Sequence, residues 1–252
     1  MIISTAPIVI IGMHRSGTTL LAQVLERSGI MMGHDMIAYS ESHFFQRCNV
    51  DLLRRQNAHW DKPVATDETP ALYNTREHFT RYTSLRKHPM GWWPMLFTKK
   101  WGWKDPRNTF TLGSWLKLFP DLYVIHICRN GLDVARSLHE RNAMLQPESK
   151  WHSPLLTDLN SCFELWETYV HQAQSWKAVL AKRYTQIRYE DLVANKPETI
   201  TTLEKFCERK VGNAVSLLVN KERRVKDSHA DMDALRENVR SNQTLLRLGY
   251  EV

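Results

Sequence analysis

The chain has 252 residues, enough to bury one large α/β core, and its 42% hydrophobic and 24% charged content is that of a globular protein without low-complexity tracts. Its net charge of +7 favours anionic ligands. No basic run with interleaved aromatics argues for nucleic acid, no apolar run reaches the ~20 residues of a spanning helix, and Cys48, Cys128, Cys162 and Cys207 form no C-x-x-C pair of the kind that holds zinc.

The spread of those cysteines fits a reduced, cytoplasmic protein with buried thiols, and "APIVIIG" at the start is too short and too poor in basic residues for a signal peptide. The densest basic cluster, "KERRVK" at 221–226, reads as a solvated helix face. No internal repeat or linker breaks the chain, so residues 1–252 are expected to form a single domain without a metal site.

Taken in chain order, the β-branched run at 8–11 lies between Pro7 and Gly12 and reads as a buried parallel strand. A helix is expected over 18–27, with Leu20, Leu21, Val24 and Leu25 on one face. After "SES" a second helical stripe pairs Phe44, Cys48 and Leu52 with Phe45 and Leu53. Residues 60–75 are polar and weakly periodic, as a loop is. "TKKWGWKDPR" (98–107) reads as a short strand stopped by Pro106, and "LYVIHICR" (122–129) as a longer one that turns into a helix. Phe163, Trp166, Val170, Ala173, Trp176 and Leu180 then recur at helical spacing, followed by a strand over 184–189 and a helix over 196–207. Strands alternating with helices predict a three-layer α/β fold, a central parallel sheet flanked by helices.

The segment "GMHRSGTT" holds the chemistry. Gly12 and Gly17 occupy the two glycine places of the nucleotide loop G-x-x-x-x-G-K-[ST], with Thr18 where the lysine belongs and Thr19 in the Ser/Thr place. Glycines and free N–H groups at a helix start still make an anion cradle. The cation has moved to Arg15, whose forked guanidinium suits paired oxygens. Loss of the lysine argues against ordinary ATP or GTP hydrolysis. A tight strand-to-helix turn with no ligand is the alternative.

Arg15-Ser16-Gly17-Thr18-Thr19, a basic residue followed by Ser-Gly-Thr-Thr, resembles the 5′-phosphosulfate loop of the sulfotransferases that use 3′-phosphoadenylyl sulfate. "VIHICRNGLDVARSL" (124–138) resembles the 3′-phosphate segment of the cytosolic members, with Arg129 and Ser137 at that family's separation. "SESHFF" (40–45) is similar to the Glu-x-His-Phe-Phe of the heparan-type glycan members. The resemblance implies a P-loop-like fold and a donor held by His14, Arg15, Ser16, Gly17, Thr18, Thr19, Arg129 and Ser137. It implies Glu41 as the base that deprotonates an acceptor hydroxyl, Lys104 on the transferring sulfonate, and adenosine 3′,5′-bisphosphate as product.

From the residues alone, Glu41 reads first as a capping carboxylate at a helix start, favoured by the helix dipole, and only the motif makes it a base. His43 reads as an acceptor-orienting residue, as the base in place of Glu41, or as a polar first-turn residue. Lys104 has an exposed strand position as its alternative. Asp105 and Arg107 are expected to pair locally, and Tyr189 and Asp191 of "RYEDL" to brace a strand end. Trp92, Trp93, Trp101 and Trp103 are candidates for an acceptor pocket, with a sugar or small-molecule alcohol as acceptor. Residues 141–158 are read as a substrate-covering loop, and the chain near Gly249 as a donor-covering turn. A P-loop small-molecule kinase and a non-catalytic nucleotide-binding module are the competing functions.

Overall fold

The computed structural model describes residues 6–33, 35–68, 100–149, 151–219 and 230–250. Residues 69–75 of the first loop, Trp92, Trp93, 98–99 and the 221–226 basic cluster lie outside them.

Six strands are present among the described residues: β1 Ile8–Ile11, β2 Met36–Ile37, β3 Glu41–Ser42, β4 Gly102–Lys104, β5 Tyr123–Cys128 and β6 Tyr184–Arg188. Four of them form one parallel sheet in the order β4-β1-β5-β6, and β2 and β3 make a separate antiparallel pair. The helices in chain order are α1 Thr18–Arg27, α2 His43–Arg55, α3 Asn108–Leu118, α4 Gly131–Ala143, α5 Leu159–Leu180, α6 Tyr189–Val193, α7 Pro197–Cys207, α8 Gly212–Val219, α9 Ala230–Asn238 and α10 Gln243–Arg247.

β1 lies between two strand neighbours, and both of its faces are covered, which is why all four of its side chains are apolar. Ile8 and Ile10, with Ile125 and Ile127 of β5, pack beneath α1, α7 and α8. Val9 and Ile11, with Val124, face Phe45 of α2, Leu112 and Trp115 of α3, and Ala173 of α5. Helix–sheet–helix layering is thus the architecture that the alternation of elements predicts. A further cluster joins α4 and α5 to Met232, Leu235, Leu245 and Tyr250 near the chain's end. Among the described residues no helix is long and apolar enough to cross a membrane.

Two local expectations change. On α2 the buried face is Phe45, Asn49, Leu52 and Leu53, while Phe44 and Cys48 are only half-buried. Asn49 is admitted because both its donors and both its lone pairs are used. Its amide donates to Asp105 (3.0 Å) and Asn108 (2.8 Å), and its oxygen accepts from Thr111 (2.7 Å) and Trp115 (2.8 Å). Trp101 and Trp103 belong to the core: they are buried beside Phe45, whose ring stacks on Trp103 at 4.1 Å.

The end of β1 fixes the loop that follows. Gly12 has φ +140°, its N–H donates to Thr109 Oγ1 (3.2 Å), and a Cβ there would lie 2.4 Å from the Ile127 carbonyl oxygen. Backbone strain costs about 1–3 kcal/mol, before any clash with β5. Gly12→Ala is therefore expected to lower unfolding free energy by about 2 kcal/mol or more in urea titration; an unchanged midpoint would contradict the close approach.

Candidate active site

The loop between β1 and α1 turns through Arg15 (φ 70°) and Gly17 (φ 88°), the two left-handed positions that let successive N–H groups face one side. Gly17 is required by space as well, since a Cβ would meet the Tyr189 ring at 2.2 Å. No side chain caps the start of α1, so the N–H groups of its first turn are left for an anion. Thr18, in the lysine's usual place, is buried.

Arg15 and Ser137 meet directly: the guanidinium Nε donates to Ser137 Oγ at 2.9 Å. Arg129, at the end of β5, donates to the Arg15 carbonyl (3.3 Å) and to Asp133 (3.2 Å). Its guanidinium lies 4.8 Å from the centre of the Tyr189 ring. The two motifs, far apart in sequence, are therefore one surface. Two buried polar atoms on it have no protein partner, His14 Nε2 and Arg129 Nε. Buried polar atoms are rarely left so, and such a set fits a phosphate-bearing ligand that would complete them.

Across from the loop stands a second group. Lys104 is almost fully buried and donates to Glu41 at 2.7 Å and to the Tyr39 carbonyl at 3.0 Å. Glu41 receives a second bond from Gln46 at 2.7 Å, and an Arg107 nitrogen lies 3.9 Å away. Glu41 thus belongs to β3 and does not cap α2. Asp35 takes that task, accepting from the Phe44 N–H (2.8 Å) and from the Ser42 hydroxyl (2.6 Å). Lys104 is likewise no exposed strand lysine. Asp105 and Arg107 do pair (2.9 Å), but in the interior rather than on an exposed loop.

Both groups line one cavity of about 640 Å³, a size typical of small-molecule sites. His14, Arg15, Gly17, Thr18 and Thr19 form one wall with Arg129 and Tyr189; Glu41, His43, Gln46, Lys104 and Arg107 form another. Ser16 and Ser137 are not in its lining, and Ser137 reaches it only through Arg15. His43 is exposed at the rim. From the 141–158 segment, Arg141, Leu145 and Trp151 face the cavity. Asn142 pins this segment in place, bonding Ser153 through both backbone groups (2.9 and 2.8 Å).

Tyr189, Gln46, Arg107 and Arg141 were not candidates from sequence. Tyr189 had one legible signal, its place just after a strand parallel to β1. It does more than brace: it sits against Gly17 and under Arg129. Asp191 pairs with Lys196 (2.7 Å), away from the cavity, as a bracing residue should. Gly249 lies beside Arg188 and is not among the cavity's lining residues, and the neighbouring Tyr250 reaches Glu190.

The sequence model of the Sulfotransferase family matches residues 7–212. An uncharacterized protein of Aquifex aeolicus is 25% identical over 220 residues; the match takes in 81% of this chain, which spans about a quarter (26%) of that relative's length. Among solved structures, a sulfotransferase from Alicyclobacillus acidocaldarius aligns with 99% of this chain and 98% of its own at TM-score 0.54 and 15% identity. The sulfotransferase domain from the curacin biosynthetic pathway aligns over 98% of both chains at TM-score 0.51 and 14% identity. A Mycobacterium avium sulfotransferase covers 98% of this chain and 77% of its own at 0.55 and 14%. At these identities the structural likeness is one of fold.

His14 sits between these groups, edge-on to Trp60 with ring centroids 5.2 Å apart. Burial lowers its pKa well below the usual 6.5, and the charges of Arg107, Lys104, Arg141 and Arg15 lower it further. The ring is thus a neutral hydrogen-bonding group rather than another cation. Because the unfolded chain still takes up that proton, His14 makes folding less favourable as pH falls through about 6.5. In an NMR titration its ring signals should not shift over the range where a free histidine titrates. A midpoint near the free value would overturn this account.

Proposed function

This chain belongs to the sulfotransferase family, and from that footing we propose that it moves a sulfonate from 3′-phosphoadenylyl sulfate to an acceptor hydroxyl. The observation that carries the reading is the placement of a carboxylate–lysine pair, Glu41 and Lys104, in the same cavity as the Arg15 loop. A module that only bound a nucleotide would have no use for a buried base facing its anion cradle. The reading takes residues 1–252 as one such domain, supported by the packing of the last helices on α4 and α5.

The donor supplies an activated sulfonate on a phosphate leaving group. The chain's own residues then divide the work. Loop N–H groups and Arg15 hold the 5′-phosphosulfate; with Nε given to Ser137, the guanidinium retains four other N–H donors. Arg129, with its unpartnered Nε, receives the 3′-phosphate, which fixes the donor's register and is absent from ATP, and Ser137 acts through the Arg15 guanidinium that it holds. Lys104 has committed two of its three protons, to Glu41 and Tyr39, and keeps one for the sulfonate. Glu41 accepts from Lys104 and Gln46 and has lone pairs free for the proton of the attacking hydroxyl. His43, at the rim, orients the acceptor.

Glu41→Gln keeps the side chain's shape and removes the base. Turnover should fall by about 10²–10⁴-fold, the usual share of general-base catalysis, while adenosine 3′,5′-bisphosphate still binds in calorimetry. Full activity in this variant would overturn the assignment of Glu41. Separately, wild-type protein should bind adenosine 3′,5′-bisphosphate in preference to ATP–Mg²⁺. The opposite preference would favour a kinase with a displaced basic residue.

A further inference from the structure

The ionic groups of the cavity can be paired off one by one. Lys104 has Glu41 (2.7 Å), Arg107 has Asp105 (2.9 Å) and Arg129 has Asp133 (3.2 Å). Two cavity-lining cations, Arg15 and Arg141, have no carboxylate within ion-pair distance among the described residues. Arg15 belongs to the phosphate loop, so the donor accounts for it. Arg141 belongs to neither of the two motifs assigned to the donor.

Arg141 lies in the last turn of α4. Its guanidinium packs 5.6 Å from the centre of the Trp60 ring, which holds the head in place without neutralising it. Trp151, Leu145 and Tyr39 line the same cavity. A helix C-terminus favours a cation in its last turn, but a solvated lysine would serve that end. It does not explain a half-buried guanidinium held close to two other arginines. Burial pulls the pKa of Arg141 down, and Arg15 and Arg107 pull it further, while Tyr39 and Glu41 act in the opposite sense. The same group is therefore within electrostatic reach of the carboxylate that would receive the acceptor's proton.

We propose that the acceptor carries an oxyanion in addition to its reacting hydroxyl, and that Arg141 receives that oxyanion while the hydroxyl meets Glu41. The proposal rests on the sulfotransferase reading for the hydroxyl's fate and names the class of acceptor, a hydroxylated carboxylate or phosphate. The oxyanion supplies the charge that Arg141 lacks, and a bidentate pair fixes the direction from which the hydroxyl approaches. Trp151 and Tyr39 line the same cavity and offer aromatic surface to the acceptor's body. Leu145 also borders a neighbouring cavity of about 510 Å³, lined by His139, Met144, Pro147 and Leu156, where a longer acceptor body has room.

Three matched probe pairs test this: 4-hydroxybenzoate and its methyl ester, 3-hydroxydecanoate and its methyl ester, and glucose 6-phosphate and glucose. Each is titrated by calorimetry onto wild-type and Arg141→Met protein saturated with adenosine 3′,5′-bisphosphate. Methionine keeps an apolar stem against Trp60. In at least one pair the charged member should bind wild type about tenfold or more tightly than the neutral one, as a charge-assisted pair warrants. Arg141→Met should bring that ratio close to one, and Arg141→Lys should restore part of it. Equal binding of both members of every pair to wild type would overturn the proposal. So would an unchanged ratio in Arg141→Met, or a loss of adenosine 3′,5′-bisphosphate affinity in that variant, which would make Arg141 a donor residue. Failure of wild type to bind adenosine 3′,5′-bisphosphate would instead count against the sulfotransferase reading. The same titrations without nucleotide would then report the Arg141-dependent ratio, and a ratio of one would overturn the anion site too.

Discussion

The buried pair of Lys104 and Glu41 is the interaction on which the site's geometry depends. Lys104 comes from the edge strand of the sheet and Glu41 from the small β2–β3 hairpin, so their contact closes one wall of the cavity. Two buried charges are costly unless each is further satisfied. Here the ammonium also donates to Tyr39, and the carboxylate also accepts from Gln46. Directly beneath, Asp105 answers Arg107, and Asn49 ties Asp105 to Asn108, Thr111 and Trp115. The pair rests on a fully used polar network, which leaves it little freedom to reorient. The same bonds satisfy the buried charges and fix their orientation.

The approach of Tyr39 adds a constraint from the other side. Its carbonyl accepts from Thr19 of the phosphate loop (3.1 Å) as well as from Lys104. Tyr39 and Ser40 both have positive φ, at 65° and 56°, immediately before Glu41. Such backbone persists only where its surroundings over-determine it. The two hydrogen bonds to that one carbonyl are part of what holds it. The loop lacks a lysine beside Gly17, yet an ammonium is supplied by a different strand and linked back to Thr19 through Tyr39. The ammonium thus stands on the Glu41 wall of the cavity rather than in the loop.

Much of this was legible in the sequence, and what was not has physical reasons. β1 and α1 follow from a β-branched run, two glycines and a helical stripe, all local signals. Arg129 and Ser137 were visible as a pair, but their meeting with Arg15 was not, because it depends on β5 lying next to β1 in the sheet. Glu41 and Lys104 were separately ambiguous; only the hairpin's return onto β4 makes each explain the other's burial. Asn49 was not singled out, since nothing local announces four partners from α3 and β4's end. Trp101 and Trp103 looked like pocket residues because aromatic clusters suit ligands and cores alike, and here the core has them.

The described end of the chain braces the turn that carries Arg129, although none of residues 230–250 is in the cavity lining. Tyr250 donates to Glu190 (3.0 Å), and the other oxygen of Glu190 accepts the Asn130 N–H (2.8 Å). Asn130 in turn caps α4 through the Leu132 N–H (2.9 Å), and the Trp166 indole donates to the Arg129 carbonyl (3.1 Å). The turn that carries Arg129 is thus fixed from behind by α5, by α6 and by the residue that follows α10. In front, Asp133 and the Tyr189 ring hold the guanidinium. An arginine constrained on every side loses little side-chain entropy when it meets an anion, and that saving strengthens recognition without any added contact. The same reasoning applies to Arg141, whose head is already fixed by Trp60. Arg129 and Arg141 are thus two preorganised cations that line one cavity together with the Glu41 carboxylate.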